Sequence, residues 1–162
     1  MALSDVAEFF ARYGHAEDIH IFDNPTSTVA LAAAELGVAS ARIAKTIAFY
    51  GADPGQCLLV VAAGDARVAN SAFRETFGLK AVMVRPEDVA DLTGHPVGGV
   101  CPFVNPSTAE VYLDASLDRF PTVFPAAGSP DSSIELTVEE LERYSAATGW
   151  VQVCKVPAEV VG

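Results

Sequence analysis

The sequence predicts an α/β protein with a mixed sheet, folded as one domain over residues 1–162. Three observations carry this expectation. Apolar runs of strand length alternate irregularly with amphipathic helical patterns, so no regular βα repeat points to an all-parallel sheet. The turn Gly51-Ala52-Asp53-Pro54-Gly55 separates two such runs and reads as a hairpin, which makes at least one strand pair antiparallel. With 162 residues, 51% apolar and 19% charged, the chain is long enough to bury a core without staples. No internal repeat, low-complexity tract or linker divides it.

The elements follow from local chemistry. Ser4 is the expected cap of a first helix in which Val6, Phe9, Phe10 and Tyr13 recur at helical spacing and Gly14 ends the run. Ile19-His20-Ile21-Phe22 reads as a short strand. Thr26-Ser27-Thr28 caps an Ala-rich helix that stops at Leu36-Gly37, where glycine suits the C′ position. One helical turn from Ser40 precedes a strand over Lys45–Tyr50. Beyond the hairpin turn, Cys57–Ala63 has no polar alternation and reads as a fully buried central strand. Asn70–Phe77 is helical with Gly78 at its end, and Ala81–Val84 is the next strand. Pro86 suits the first helical position, with Glu87 and Asp88 complementing the dipole of a helix that stops at Gly94. Strands are expected over Glu110–Asp114, Thr122–Phe124 and Ile134–Leu136, the last two joined by a turn at Gly128–Asp131. Thr137 and Glu140 match a capping box for a helix to about Thr148, and Trp150–Val153 closes the fold as a strand. The tail beyond Lys155 reads as loose.

Bulk properties narrow the function. The formal net charge of −11 excludes broad nonspecific nucleic-acid binding but leaves room for a local contact with an RNA end where a few cations converge. No apolar run approaches the roughly 18 residues of a membrane span. The start, Met-Ala-Leu-Ser-Asp-Val-Ala-Glu, lacks a basic n-region and an apolar h-region, so the expected location is the cytoplasm with no membrane partner. Cys57, Cys101 and Cys154 are few, odd in number and widely spaced, which fits reduced thiols and neither a disulfide framework nor a metal site. No cofactor is expected.

Gly94–Pro106 is the most unusual stretch. It holds three glycines and three prolines among apolar residues, where a solvated connector carries Ser, Asp and Lys. Such a loop is either a buried structural turn or a stiff binding wall whose bare N–H groups, around Gly98 and Gly99, form an anion nest or oxyanion hole. Lys45 shares a strand face with Ile47 and Phe49. It is either an anion site, since an unpaired buried charge costs several kcal/mol, or an edge residue with a snorkelling stem. Cys101 lacks a recognisable His partner, so an apolar filler is favoured over a nucleophile. His20 faces away from Ile19 and Ile21, towards a pocket or towards solvent. Asp114 is favoured as a turn cap over a contact with a ligand hydroxyl.

Lys45-Thr46 after Leu36-Gly37-Val38, Leu92-Thr93-Gly94 leading into Val97-Gly98-Gly99-Val100-Cys101-Pro102-Phe103, Val111-Tyr112-Leu113-Asp114, and Ile134-Glu135-Leu136 before the last helix occur in that order. In this the chain resembles the YbaK-type superfamily, which includes the editing domain of bacterial prolyl-tRNA synthetases and its free-standing relatives. The similarity spans about Val6 to Val153. It implies a compact mixed sheet, partly barrel-like, with helices packed outside. It also implies hydrolysis, in trans, of the ester joining a wrong, small amino acid to a tRNA, a proline tRNA among the carriers. The resemblance makes Lys45 essential, set against the phosphate or sugar of the terminal nucleotide, and sets the backbone of Gly98–Pro102 against the aminoacyl carbonyl. Gly98 and Gly99 thus join Lys45 as catalytic candidates. Thr46, Val100, Cys101, Pro102, Phe103 and Gly128, with His20 and Asp114, become candidates for contact with the substrate. Two departures alter the pocket if those residues line it: Cys101 stands where relatives often have Ser, and Pro125-Ala126-Ala127-Gly128 replaces a more Ser/Gly-rich segment.

The family logic is physically sound, because a synthetase pocket separates side chains differing by one methylene by only about 1–3 kcal/mol and a second sieve is needed. The implied partner is the 3′ end of a mischarged tRNA. The acidic charge leaves a synthetase or elongation factor to supply further grip. Alanine, cysteine, serine and other small residues all stay open as the amino acid removed. Two alternatives stand beside this reading: an inactive relative that only binds a nucleotide, a tRNA end or a partner protein, and a Cys101-dependent hydrolase.

Overall fold

A computed structural model describes residues 2–23 and 28–157. Helix α1 (Ala2–Ala11) turns its apolar side, Val6 and Phe10, fully inward. Strand β1 (Ile19–Ile21) is followed by α2 (Val29–Leu36), whose first turn is capped where Thr28 Oγ1 accepts from Leu31 N at 3.2 Å. A 3₁₀ turn over Ser40–Arg42 leads into β2 (Ile43–Tyr50) and its hairpin partner β3 (Cys57–Ala63). Then come β4 (Arg67–Val68), α3 (Asn70–Phe77) and α4 (Pro86–Thr93). The chain continues through β5 (Ala109–Asp114), β6 (Thr122–Pro125), β7 (Ser132–Ile134) and β8 (Leu136–Thr137). It closes with α5 (Val138–Ser145), β9 (Gly149–Val151) and β10 (Cys154–Lys155).

The main sheet has six strands in the order β8-β6-β2-β3-β5-β9 and curls into a half-barrel. It is mixed, as the sequence predicts. The pairs β2–β3 and β6–β8 are antiparallel, whereas β2–β6, β3–β5 and β5–β9 are parallel. Two small ribbons, β1–β7 and β4–β10, flank it. Strand β3 explains its own unbroken apolar run. Cys57, Leu59 and Val61 enter the larger core with Val6, Phe10, Phe103 and Leu141, while Leu58 and Val60 enter a second core with Phe49 and Phe73. Both faces of this strand are covered, so no polar alternation survives.

Several boundaries differ from the sequence reading. Helix α1 begins at Ala2, so Ser4 lies within its first turn and is not the cap. Ala81–Val84 is not a strand, because it makes only one isolated bridge, Met83 to Phe49, on the free edge of β2. The run Ile134–Leu136 is broken at Glu135, since β7 pairs with β1 and β8 with β6. The last helix stops at Ser145, where Ala146 turns left-handed at φ 51°, and the closing strand is interrupted after Val151. Thr26, Ser27 and most of the tail beyond Lys155 lie outside the described residues.

The Gly94–Pro106 loop is held from inside. His95 is almost fully buried, and its Nε2 lies 2.7 Å from the Phe103 carbonyl. A carbonyl only accepts, so Nε2 carries the proton and Nδ1 is a lone pair without a partner among the described residues. Asn105 Nδ2 donates to Thr93 O at 2.8 Å and to Cys101 O at 3.0 Å. Between these ties Val104, a β-branched residue, is held at φ 53°, a conformation such side chains rarely adopt.

Burial lowers the His95 pKa, partly opposed by the Phe103 carbonyl and by Asp5. The fold thus favours the neutral ring, and this contribution is complete above the unfolded value of about 6.5 and lost as pH falls towards the lowered folded value. Melting temperatures across pH 5 to 7.5 are expected to drop more steeply for the wild type than for His95→Gln. Parallel curves would show that another group governs acid stability.

Candidate active site

The site arises where two strands part. Parallel β2–β6 pairing covers only Ile43↔Phe124 and Ala44↔Pro125. Further along the same edge, Tyr50 N donates to Val82 O at 3.0 Å and Val84 N donates to Ala48 O at 2.9 Å. In an antiparallel strand, alternate residues turn both main-chain groups to the same side. Ala48 and Tyr50 face outward, so the N–H and C=O of Thr46 also face outward, into the gap left between the two pairings. A cavity of about 200 Å³ occupies that gap. Lys45 and Thr46 form one wall, Gly98 and Val100 another, and Phe124, Ala126 and Ser129 close it. Thr46 adds a buried hydroxyl with no partner among the described residues.

Lys45 is not an edge residue with a snorkelling stem, since β2 is interior to the sheet. Its ammonium donates to Gly64 O at 3.4 Å and to Ala66 O, on the segment that leaves β3. An ammonium has three donors, so one remains for a ligand. Desolvation by burial lowers its pKa, partly offset by the nearby Asp65 carboxylate. Asp65 is itself held by Arg119, whose Nη2 and Nη1 approach its oxygens at 2.6 and 3.2 Å. The Gly64–Ala66 segment is thus a fixed receptor for the lysine.

Gly98 and Gly99 divide the work of the loop. Gly98 sits at φ 85°, and Gly99 N donates to Pro96 O at 2.9 Å, closing a tight turn. That bond uses the Gly99 N–H, so Gly99 is not a free oxyanion donor. Its absent side chain matters instead, because a Cβ there would lie 2.7 Å from Ser129 Cα. The N–H groups of Gly98 and Val100, both on the cavity wall, have no acceptor among the described residues.

Several predicted contact residues lie elsewhere. Cys101 and Phe103 are fully buried, and Phe103 packs edge-on to Phe10 at 4.9 Å. Pro102 is buried too, and none of the three lines the cavity. Cys101 is a core filler as well as no nucleophile, since burial pushes its thiol up to about 12. Asp114 is a cap: its oxygens accept from Ser116 N at 2.9 Å and Val153 N at 2.8 Å. His20 is exposed on β1, with its ring 4.9 Å from that of Phe22. Gly128, at φ 100°, shapes the turn that presents Ser129. Of the two alanines that depart from the family pattern, Ala126 lines the cavity and Ala127 is buried in the core.

The sequence reading missed Gly64, Ser129, Ser132 and Ser133. Ser129 lies in a stretch read only as a turn, and Ser132 and Ser133 between that turn and the strand expected at Ile134, yet all three line the cavity. Ser129 Oγ lies 2.6 Å from Asp131 Oδ1, and Ser133 Oγ donates to Pro125 O at 3.1 Å. A Cβ on Gly64 would collide with Ser40 O and lie 2.7 Å from Val29 Cγ1, so this glycine lets the lysine receptor dock on the cavity wall. Gly64→Ala and Gly99→Ala are each expected to cost about 1–3 kcal/mol in urea unfolding through overpacking. Gly78→Ala, where the left-handed backbone is strained but space is open, serves as the comparison for steric cost. Native alkylation is expected to leave Cys101 unlabelled, as mass spectrometry of the digest would show.

Residues 23–144 match the family model of the aminoacyl-tRNA editing domain. YwhH, an uncharacterized protein of Bacillus subtilis (strain 168), is 47% identical over 155 residues, covering 96% of this chain and 98% of its own. The crystal structure of the hypothetical protein APE2540 aligns at TM-score 0.75 and 32% identity, over 85% of this chain and 90% of that one. A candidate trans-editing enzyme for prolyl tRNA synthetase shares the fold at TM-score 0.83 and 24% identity, over 95% and 97% of the two chains. A matched family model spanning most of the chain, a close full-length relative and a common fold agree: the chain belongs to the aminoacyl-tRNA editing domain family.

Proposed function

We propose that this chain, working as one domain over residues 1–162, is a trans-acting aminoacyl-tRNA deacylase of the cytoplasm that removes a small, wrongly attached amino acid. The observation that carries the reading is the shared cavity, where β2 supplies Lys45 and Thr46 and the loop supplies Gly98 and Val100. Its volume of about 200 Å³ lies below the roughly 300–1,000 Å³ of drug-sized pockets, on the scale of an aminoacyl group.

The chemistry asked of the site is modest. Water adds to the ester carbonyl, the C–O bond to the ribose breaks, and the ribose oxygen leaves with a proton. The free N–H groups of Gly98 and Val100 stabilise the negative oxygen of the tetrahedral intermediate, and one such donor is typically worth about 3–4 kcal/mol. Thr46 offers its outward main-chain groups to the amino acid. Lys45, with one donor uncommitted, holds the sugar or phosphate of the terminal nucleotide. The proton of the attacking water passes to a substrate hydroxyl or to solvent. A chain with net charge −11 grips the tRNA body weakly and in a salt-sensitive way, which leaves a role for a synthetase or elongation factor.

A panel of mischarged tRNAs tests the reading. The wild type is expected to cleave at least one ester bearing a small amino acid, and Lys45→Ala to slow that cleavage about 100-fold, the scale of losing one transition-state contact. If every ester survives the wild type while the tRNA still binds, the protein is a binding relative and the hydrolase reading falls. The lowered Lys45 pKa sets a second expectation: kcat/KM declines on the alkaline side at a pH below the free-lysine value of 10.5, as the ammonium is lost.

A further inference from the structure

A second cavity of about 550 Å³ lies on the other side of the segment that holds Lys45, bounded by Asp65, Arg67, Ser71 and Lys155. Its two cations come from the ribbon β4–β10, where Lys155 and Arg67 are direct cross-strand partners. Like charges placed directly opposite destabilise a strand pair. Among the described residues, neither Arg67 nor Lys155 pairs with a carboxylate. Asp65, the acid in the cavity wall, has both oxygens committed to Arg119. The ten Lys and Arg of this acidic chain are otherwise thinly spread, so two exposed cations side by side on one cavity wall offer a site for an anion.

The position of this pair is specific. Arg67 follows Ala66, whose carbonyl holds the Lys45 ammonium, and its charge is near enough to act against protonation of that lysine. Lys45 thus joins the two cavities: its strand walls the first, and its ammonium reaches the segment that walls the second. The start of α3 adds the positive end of a helix, since Ala69 supplies no side-chain cap and Ser71 lines the cavity.

We propose that Arg67 and Lys155 bind a backbone phosphate of the single-stranded RNA whose terminal ester occupies the Lys45–Gly98 cavity. This rests on the deacylase reading and adds the track of the strand: ester at Thr46 and Gly98, sugar at Lys45, phosphate between Arg67 and Lys155. These two residues position the substrate and take no part in bond making.

The test compares two substrates for the wild type, Arg67→Gln, Lys155→Gln and the double variant: mischarged tRNA, and aminoacyl-adenosine, which lacks the phosphates. In the double variant the ratio of kcat/KM for tRNA over aminoacyl-adenosine is expected to fall about tenfold, through KM. The slope of log binding constant against log salt is expected to become shallower by about 0.7 for each lost phosphate contact. Melting temperatures should hold or rise, because the substitutions remove a like-charge pair. An unchanged ratio overturns the proposal, as does an equal loss on both substrates with a lowered melting temperature. If the wild type hydrolyses neither substrate, the deacylase reading fails separately, and a labelled RNA trinucleotide ending in adenosine decides the phosphate site. Weaker binding by the double variant than by the wild type then supports the site, and equal binding refutes it. Inorganic phosphate as competitor separates the sources: displacement of the trinucleotide only at far higher concentration supports a phosphodiester ligand, whereas equal potency overturns the assignment to RNA.

Discussion

Lys45 rises from an interior strand of the sheet, where its ammonium is partly stripped of water, and the carbonyls of Gly64 and Ala66 stand in for the lost solvation. Much of the site depends on this requirement. The segment after β3 has to leave the sheet at a place where two carbonyls converge on the lysine, and Gly64 permits that only because it lacks a side chain. The Arg119–Asp65 pair then ties the same segment to the turn after β5. A cation that would otherwise be costly to bury becomes a fixed feature with one donor in reserve.

The second constraint is main-chain supply. Sheet edges are normally paired or covered, and here β6 pairs with β2 for two residues before the strands part. The gap leaves the groups of Thr46 facing a cavity where the Gly98–Val100 loop also presents unpaired N–H groups. A site built from backbone donors needs no reactive side chain, which agrees with a buried, unreactive Cys101 and with His95 spent on holding Phe103. The cost appears as local strain and imperfection: Val104 in a left-handed conformation, His95 Nδ1 without a partner, and Arg67 opposite Lys155.

Much of the fold was legible because its elements are marked locally. Thr28, Gly37, Gly78, Pro86, Gly94 and the Thr137–Glu140 capping box do at the helix ends what their chemistry predicts, and the unbroken apolar run of β3 is central and covered on both faces. The misreadings fall where partners, not propensity, decide. Ala81–Val84 has strand composition, yet the free edge of β2 offers it a single bridge, and Ile134-Glu135-Leu136 is one short run that two different strands divide.

Sequence alone determined the α/β class, most element ends and the caps at Asp114 and Thr137, since these depend on side-chain chemistry within a few residues, whereas the pairing of Lys45 with the Gly98 loop as a candidate site came from the family resemblance. Only the tertiary structure decided which members of the Gly94–Pro106 loop face the cavity. Alternation and composition cannot separate Gly98 and Val100, on the wall, from Gly99, Cys101 and Phe103, which pack inward against Ser129, His95 and Phe10. The same holds for the receptor of Lys45 and the facing cations Arg67 and Lys155. The first pairs residues about twenty apart and the second joins residues about ninety apart, and such contacts follow from strand register and chain path, which no local pattern encodes.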